Sequence, residues 1–272
     1  MKGIKESWSR ISHAAGLSQP FIGDPFGRRL RMNQIQTRYE AQINDLVSAC
    51  HRLAELGYVT SSGGNLSLRV DESTILITPT KTPKRVMCFD DICAVDPDGN
   101  LLFSTEGKKP TGELPFHLRI MRRRPDVKAI VHGHPPIMTG FAIANSDLLE
   151  KPFLPEPVIE VGPILRVPYE TPLSEALSEQ FDKVIHQSNG FLMENHGALL
   201  CSVNGILEAV EFMQMIECMA QSILVSMQLG YCKPLSTSCV KELDKVVAMR
   251  NLNMPGAPGR FVSATQLYGL EE

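Results

Sequence analysis

Residues 128–136 read KAIVHGHPP, a β-branched, apolar run that stops at two prolines. It predicts a buried strand ending at His134, because continuous apolar character suits a strand covered on both faces and proline cannot donate to a sheet ladder. His132 and His134 stand two apart, so the two-residue side-chain period sets both imidazoles on one face. That is a chelating geometry at the exit of a strand. A histidine alone is more often a satisfied core residue than a ligand, so the pair gains meaning only with further donors.

Strand and helix patterns extend outward from this run. Upstream, SSGGNLSLRV (61–70) is a glycine turn leading into alternating Leu66, Leu68 and Val70, and TILITPT (74–80) is its partner strand. DICAVDPDGNLLF (91–103) carries Asp-Gly turn chemistry and predicts a further hairpin. Before them, Ile43, Leu46, Val47, Cys50, Leu53 and Ala54 recur at helical spacing until Gly57 stops the helix. A helix starting near Thr111 puts Leu114, His117, Leu118 and Met121 on one face and Arg119 and Arg122 to Arg124 largely outside, and Pro125 ends it. Downstream, Leu173, Leu177, Phe181, Val184 and Ile185 mark another amphipathic helix, and GFLMENHGALL (190–200) reads as a strand. A long helix is expected from Ile206 to Leu229, its methionines serving packing, and a shorter one from Val240 to Met249 precedes a Pro/Gly-rich tail. The class is α/β.

With 272 residues, 43% of them hydrophobic, the chain can bury a full core. A formal charge of −3 gives no global field toward nucleic acid or an anionic membrane, so neither is an expected partner. The seven scattered cysteines lack CxxC spacing and read as reduced cytoplasmic thiols. No stretch matches a signal peptide or a membrane span. Residues 1–30 read as an N-terminal extension and 31–272 as the domain with its tail.

Single positions carry weak signals for chemistry. His196 lies in ENHG, where glycine permits a turn that leaves the imidazole at the sheet's rim. Glu113 starts a helix, where a carboxylate also complements the dipole. Together, three neutral imidazoles (His132, His134, His196) and Glu113 form the donor set of a catalytic zinc with one exchangeable position. His117, four residues after Glu113 on the same face, reads as a structural hydrogen-bonding group rather than a further ligand. The glycines of Ser62–Asn65 let backbone N–H groups approach an anion, and ITPTKTPKR (77–85) offers hydroxyls and the cations Lys81, Lys84 and Arg85 for a phosphate or carboxylate.

SSGGNLSLR, ITPT, KKPTGELPFH, RRRPDVKAIVHGHPP and ENHGALL, in this order and ahead of a long helix, resemble the class II aldolase/adducin family over roughly residues 35–230. The resemblance implies a three-layer α/β/α sandwich around a central, largely antiparallel mixed sheet, with sites at subunit boundaries and a cyclic homotetramer. It implies a divalent metal, zinc or alternatively manganese, on Glu113, His132, His134 and His196. Glu113 then leaves the metal to act as acid/base once substrate chelates it. Gly64, Asn65, Thr80, Lys81, Thr111 and Gly112 fall at the substrate-binding positions.

Family aldolases carry two serines before the glutamate and a glycine after ITPT, where this chain has Thr111, Gly112 and Lys81. The bound group is therefore either a carboxylate or a phosphate held differently. Their tyrosine between the HxH strand and the third histidine has no counterpart in FLPEPVIEV (153–161), while Tyr169 and Tyr268 lie further on. The expected activity is a metal-dependent lyase cleaving or forming a carbon–carbon bond in a small hydroxy-ketone or sugar phosphate. A β-keto-acid decarboxylase, a sugar-phosphate dehydratase or epimerase, and a non-catalytic adducin-like interaction module are the alternatives.

Overall fold

Each strand of this protein sorts its side chains onto two faces, and the helices cover both. The computed structural model describes residues 33–271, so the extension expected at 1–30 lies outside the described residues. The elements run α1 (Gln34–Arg38), α2 (Glu40–Glu55), β1 (Asn65–Arg69), β2 (Ile75–Ile77), β3 (Cys93–Val95), β4 (Leu101–Phe103), α3 (Leu114–Arg123), β5 (Ala129–Gly133) and α4 (Pro136–Ile143). They continue α5 (Pro155–Glu160), β6 (Ile164–Val167), α6 (Glu175–Gln180), β7 (Gly190–Met193), β8 (Gly197–Ser202), α7 (Ile206–Gln228), α8 (Thr237–Arg250) and α9 (Ala264–Leu267). The strands form one eight-stranded sheet in the order β4-β3-β2-β1-β5-β8-β7-β6.

Every neighbouring pair is antiparallel except β6 and β7, which are parallel and joined through α6. Leu66, Leu68, Leu76, Ala129, Val131, Ala198 and Leu200 face a core shared with α2, α4 and α7. Ile75, Ile77, Ile130, Phe191, Leu199 and Cys201 face the opposite core, with Phe116, Leu118 and Ile120 of α3 and Leu177 of α6. This alternation makes the three-layer α/β/α sandwich around a largely antiparallel mixed sheet, as expected. Each large apolar chain so buried contributes about 1.5–3 kcal/mol. Among the described residues no helix is long and apolar enough to cross a membrane.

Several local expectations are corrected. GFLMENHGALL is a hairpin, β7 and β8 around a turn at Glu194–His196, in which Asn195 takes the left-handed conformation (φ 51°) that asparagine tolerates. Leu173 stands outside α6, 62% exposed and left-handed at φ 69°, because Ser174 caps that helix through a bond from the Leu177 amide. Arg124 is fully buried: it grips Asp126, the Ile185 and Ser188 carbonyls and Asn189 Oδ1. Strand β6 escaped notice because it is an edge strand, where Arg166 can lie outside the apolar alternation and bond Glu150.

On the outer side of α3, Arg119 and Arg123 clasp Asp182, which follows α6. The Arg119 hydrogen bond, reinforced by Arg123, holds the Asp182 carboxyl at about 2, below its ordinary 3.8. A depressed carboxylate contributes stability that is complete above the unfolded value and is lost as pH falls through the folded one. Wild-type protein should therefore lose urea resistance between about pH 4 and 2 more steeply than Asp182→Asn; parallel curves for the two would refute the clasp.

Candidate metal centre

Strand register builds the site before any side chain is considered. Asn65 on β1 pairs with His132 on β5, and His132 pairs with Leu199 on β8. Gly133 pairs with Ala198, so His134, one residue past β5, comes level with the β7–β8 turn that carries His196. A side chain at Gly197 would put its Cβ 2.5 Å from the Gly133 carbonyl oxygen and 2.6 Å from His134 Cδ2. The bare glycine permits this approach.

One ring nitrogen from each of His132, His134 and His196 lies within 4.8 Å of the others. The His132 Nδ1–H donates to the Ala198 carbonyl at 3.0 Å, which leaves the Nε2 lone pair free and pointed at the cluster. That Nε2 and His196 Nδ1 are buried without a hydrogen-bond partner. Burial, with mutual repulsion among the imidazoles, pushes the His132 pKa well down and that of His134 to about 4, and burial lowers His196 as well. The rings are neutral at physiological pH, the state that ligates a metal.

Glu113 closes the cluster from the α3 side, with Oε2 3.5 Å from His132 Nε2 and Oε1 3.5 Å from His196 Nε2. A neutral His132 makes no ion pair with it, and 3.5 Å exceeds the roughly 2.7–2.9 Å of a charge-assisted hydrogen bond. It suits two donors that each sit about 2.1 Å from one tetrahedral ion. The orphaned nitrogen, the neutral rings and this spacing together fit a divalent cation.

Behind Glu113 runs a buried polar line. Asn65 Nδ2 donates to Glu113 Oε2 at 2.7 Å, Asn65 Oδ1 meets His117 Nε2 at 2.5 Å, and His117 Nδ1 meets Ser67 Oγ at 2.7 Å. Asn65 and Ser67 share the face of β1 that looks toward α3, whose His117 lies one turn beyond Glu113. Burial alone lowers His117 to about 3, so it too is neutral. His117 was expected to be a hydrogen-bonding residue but Ser67 was missed; a serine alternating with asparagine between the leucines of β1 was the available signal.

The sequence profile described as Class II Aldolase and Adducin N-terminal domain matches residues 44–224. The chain belongs to this family. A 3-oxo-tetronate 4-phosphate decarboxylase of Haemophilus influenzae is 31% identical over 209 residues, 75% of this chain and 96% of that protein. An L-fuculose phosphate aldolase of Methanococcus maripaludis is 34% identical over 177 residues, 65% of this chain and 93% of that one. The crystal structure of YgbL from Escherichia coli, whose activity is given as a choice of aldolase, epimerase or decarboxylase, matches with a TM-score of 0.69 at 26% identity, covering 76% of this chain and 99% of YgbL. Aldol cleavage and decarboxylation both break a carbon–carbon bond, and this class II aldolase family member is an enzyme of the lyase class.

In this family member the remaining candidate residues divide into two groups. Gly64, Asn65 and Thr111 are buried; Asn65 Nδ2 donates to the Glu113 carboxylate, the Thr111 hydroxyl accepts the Glu113 amide at 3.3 Å, and Gly64 lies against Val59 and the His132 carbonyl. Thr80, Lys81 and Gly112 are exposed, with Lys81 in the left-handed region at φ 57°. The segments remain adjacent, since the Thr80 amide donates to Lys109 O and the Thr111 amide to Thr78 O. Leu173 covers Gly112, with Cδ2 3.0 Å from where a Cβ would stand.

The buried cation of the loop is Lys84, 1% exposed, whose Nζ donates to the Ser62 and Thr82 carbonyls at 3.3 Å each. Burial lowers its pKa, a shift that the nearby Glu113 carboxylate opposes. Tyr268 packs against the α5–α8–α9 cluster, and burial raises its hydroxyl pKa. Tyr169 is 52% exposed, and its amide donates to Glu194 Oε2 beside the His196 turn.

Gly64 is left-handed at φ 69°, and a Cβ there would lie 2.7 Å from Val59 Cγ1 and 2.8 Å from the His132 carbonyl oxygen. Gly64→Ala should cost about 1–3 kcal/mol in urea unfolding, from strain and overpacking together. A wild-type midpoint would show instead that the loop yields freely.

Proposed function

We propose that this protein is a divalent-metal-dependent lyase that breaks the carbon–carbon bond between the α and β carbons of a ketone in a small, anionic sugar derivative. The carrying observation is the cluster itself: three neutral imidazoles within 4.8 Å of one another and Glu113 3.5 Å from two of them. Imidazole and carboxylate donors in this number suit zinc, with manganese the alternative. When bound, the ion supplies a Lewis acid for the negative charge left on the carbonyl oxygen as the bond breaks.

The protein's own groups do the rest. Glu113 gives or takes the proton at the carbon being released, in an environment that holds its carboxylate by Asn65 and its backbone by Thr111. His132, His134 and His196 stay neutral because they are buried, so they hold the cation without competing for that proton. The Gly63–Gly64 turn and the segment 80–84 supply backbone donors and cationic charge for the substrate's anionic end.

A first reading is aldol cleavage, giving a ketone and an aldehyde. A second, decarboxylation of a 3-oxo acid, is favoured by Lys84, a buried cation that the Ser62–Asn65 loop shares with Glu113. The relative that covers more of this chain is also a decarboxylase.

Elemental analysis of protein purified without chelators should find near-stoichiometric zinc or manganese in the wild type and loss of it in His132→Ala. A metal-free wild type that cannot be reloaded would refute the reading. Glu113→Gln should stay folded while kcat falls by about 10²–10⁴. Offering L-fuculose 1-phosphate and 3-oxo-tetronate 4-phosphate separately decides between the branches: aldehyde from the first supports aldol cleavage, and carbon dioxide without aldehyde from the second supports decarboxylation.

A further inference from the structure

The line Ser67–His117–Asn65–Glu113 has only one arrangement of hydrogens compatible with an ionised Glu113. A carboxylate only accepts, so the Asn65 amide nitrogen must face it and donate. Asn65 Oδ1 then faces His117 and can only accept, which places the imidazole hydrogen on Nε2. A neutral His117 carries no second hydrogen, so its Nδ1 accepts and the Ser67 hydroxyl donates. Every donor in the chain therefore points toward Glu113.

Without the His117 donor the Asn65 amide is anchored at its nitrogen alone, by the Glu113 carboxylate, and its buried Oδ1 is left without a partner, which lowers the cost of a half-turn because oxygen and nitrogen are nearly the same size. The flipped amide would set an oxygen lone pair against the Glu113 carboxylate and turn it away from the three imidazoles. All four residues are buried, so water cannot readily replace a lost donor.

We propose that His117 and Asn65 are positioning residues: the Nε2–H of His117 locks the Asn65 amide so that its N–H holds Glu113 toward His132 and His196. Ser67 selects the tautomer of His117 that makes this possible. The inference rests on the reading of Glu113 as a group that completes the metal cluster. It assigns Asn65 a role directed at the carboxylate rather than at substrate.

The test uses cobalt(II), whose visible absorption reports a change of ligand, on the full-length protein stripped of metal and reloaded. Four proteins are compared: wild type, Glu113→Gln, His117→Leu and His117→Gln. Glutamine keeps an N–H close to the position of the imidazole Nε2; leucine fills the space without a donor. The expected result is that His117→Leu moves the cobalt spectrum toward that of Glu113→Gln and weakens cobalt affinity by about 10- to 100-fold, the usual cost of losing a group that orients a ligand. His117→Gln should retain the wild-type spectrum. A purely structural role for His117 would lower the melting temperature of both variants and leave both spectra unchanged.

If Glu113→Gln shifts the spectrum but His117→Leu matches wild type, the relay is overturned and the reading of Glu113 stands. If Glu113→Gln itself leaves the spectrum unchanged, Glu113 is no ligand and the relay falls with that reading. Should His117→Leu fail to fold, His117→Asn replaces it, because asparagine carries its N–H near the Nδ1 position and still lacks the donor to Asn65. A wild-type spectrum in His117→Asn would overturn the proposal equally.

Discussion

Strands β1, β5 and β8 lie side by side, with Asn65 opposite His132 and His132 opposite Leu199. The rest of the site depends on this pairing. A shift of one residue in either ladder would turn His132 into the α2–α7 core and leave an alternate face toward α3. With the observed register, β1 presents Asn65 and Ser67, β5 presents His132, and the β7–β8 turn delivers His196 level with His134. The backbone bonds thus place five polar side chains within reach of a single helix terminus.

Concentrating polar groups at the edge of an apolar core carries a cost. An unsatisfied buried polar atom loses about 1–3 kcal/mol, and the free Nε2 of His132 is such an atom. His132 Nδ1 is met by a backbone carbonyl, and Glu113 is met by Asn65, which in turn is met by His117 and Ser67. Within the cluster, His132 Nε2, a ring nitrogen 3.5 Å from the Glu113 carboxylate, is an atom left without a partner, and one that a cation would satisfy.

The histidine cluster and the loops proposed for substrate obey different constraints. The histidine cluster is determined by sheet register and close glycine approaches, and little variation is compatible with either. The segments proposed to meet the substrate's anionic end hang from the ends of strands, where Lys81 and Gly112 are exposed and Leu173 fills the space over Gly112. Lys84 lies inside, tied to two backbone carbonyls rather than to a carboxylate. Charge and shape can change there without disturbing the histidine cluster, and the relatives of this chain include both a decarboxylase and an aldolase.

Most strands and helices were legible from hydrophobic period, with α4, α5, β6 and the division of β7 from β8 among the exceptions, and so were the paired histidines, because a two-residue spacing on a strand has one geometric meaning. His196 and Glu113 were legible as members of a donor set, since residue type constrains metal chemistry. The sequence by itself therefore determined the α/β class and named the three histidines that the fold brings together. Only the tertiary structure decided that ENHG is a turn between two strands, that Arg124 is buried, that Lys84 rather than Lys81 is the interior cation, and that Ser67 and His117 stand behind Glu113. Each of these depends on contacts between residues far apart in the chain, and a local pattern of period or propensity carries no information about which distant backbone a side chain will meet.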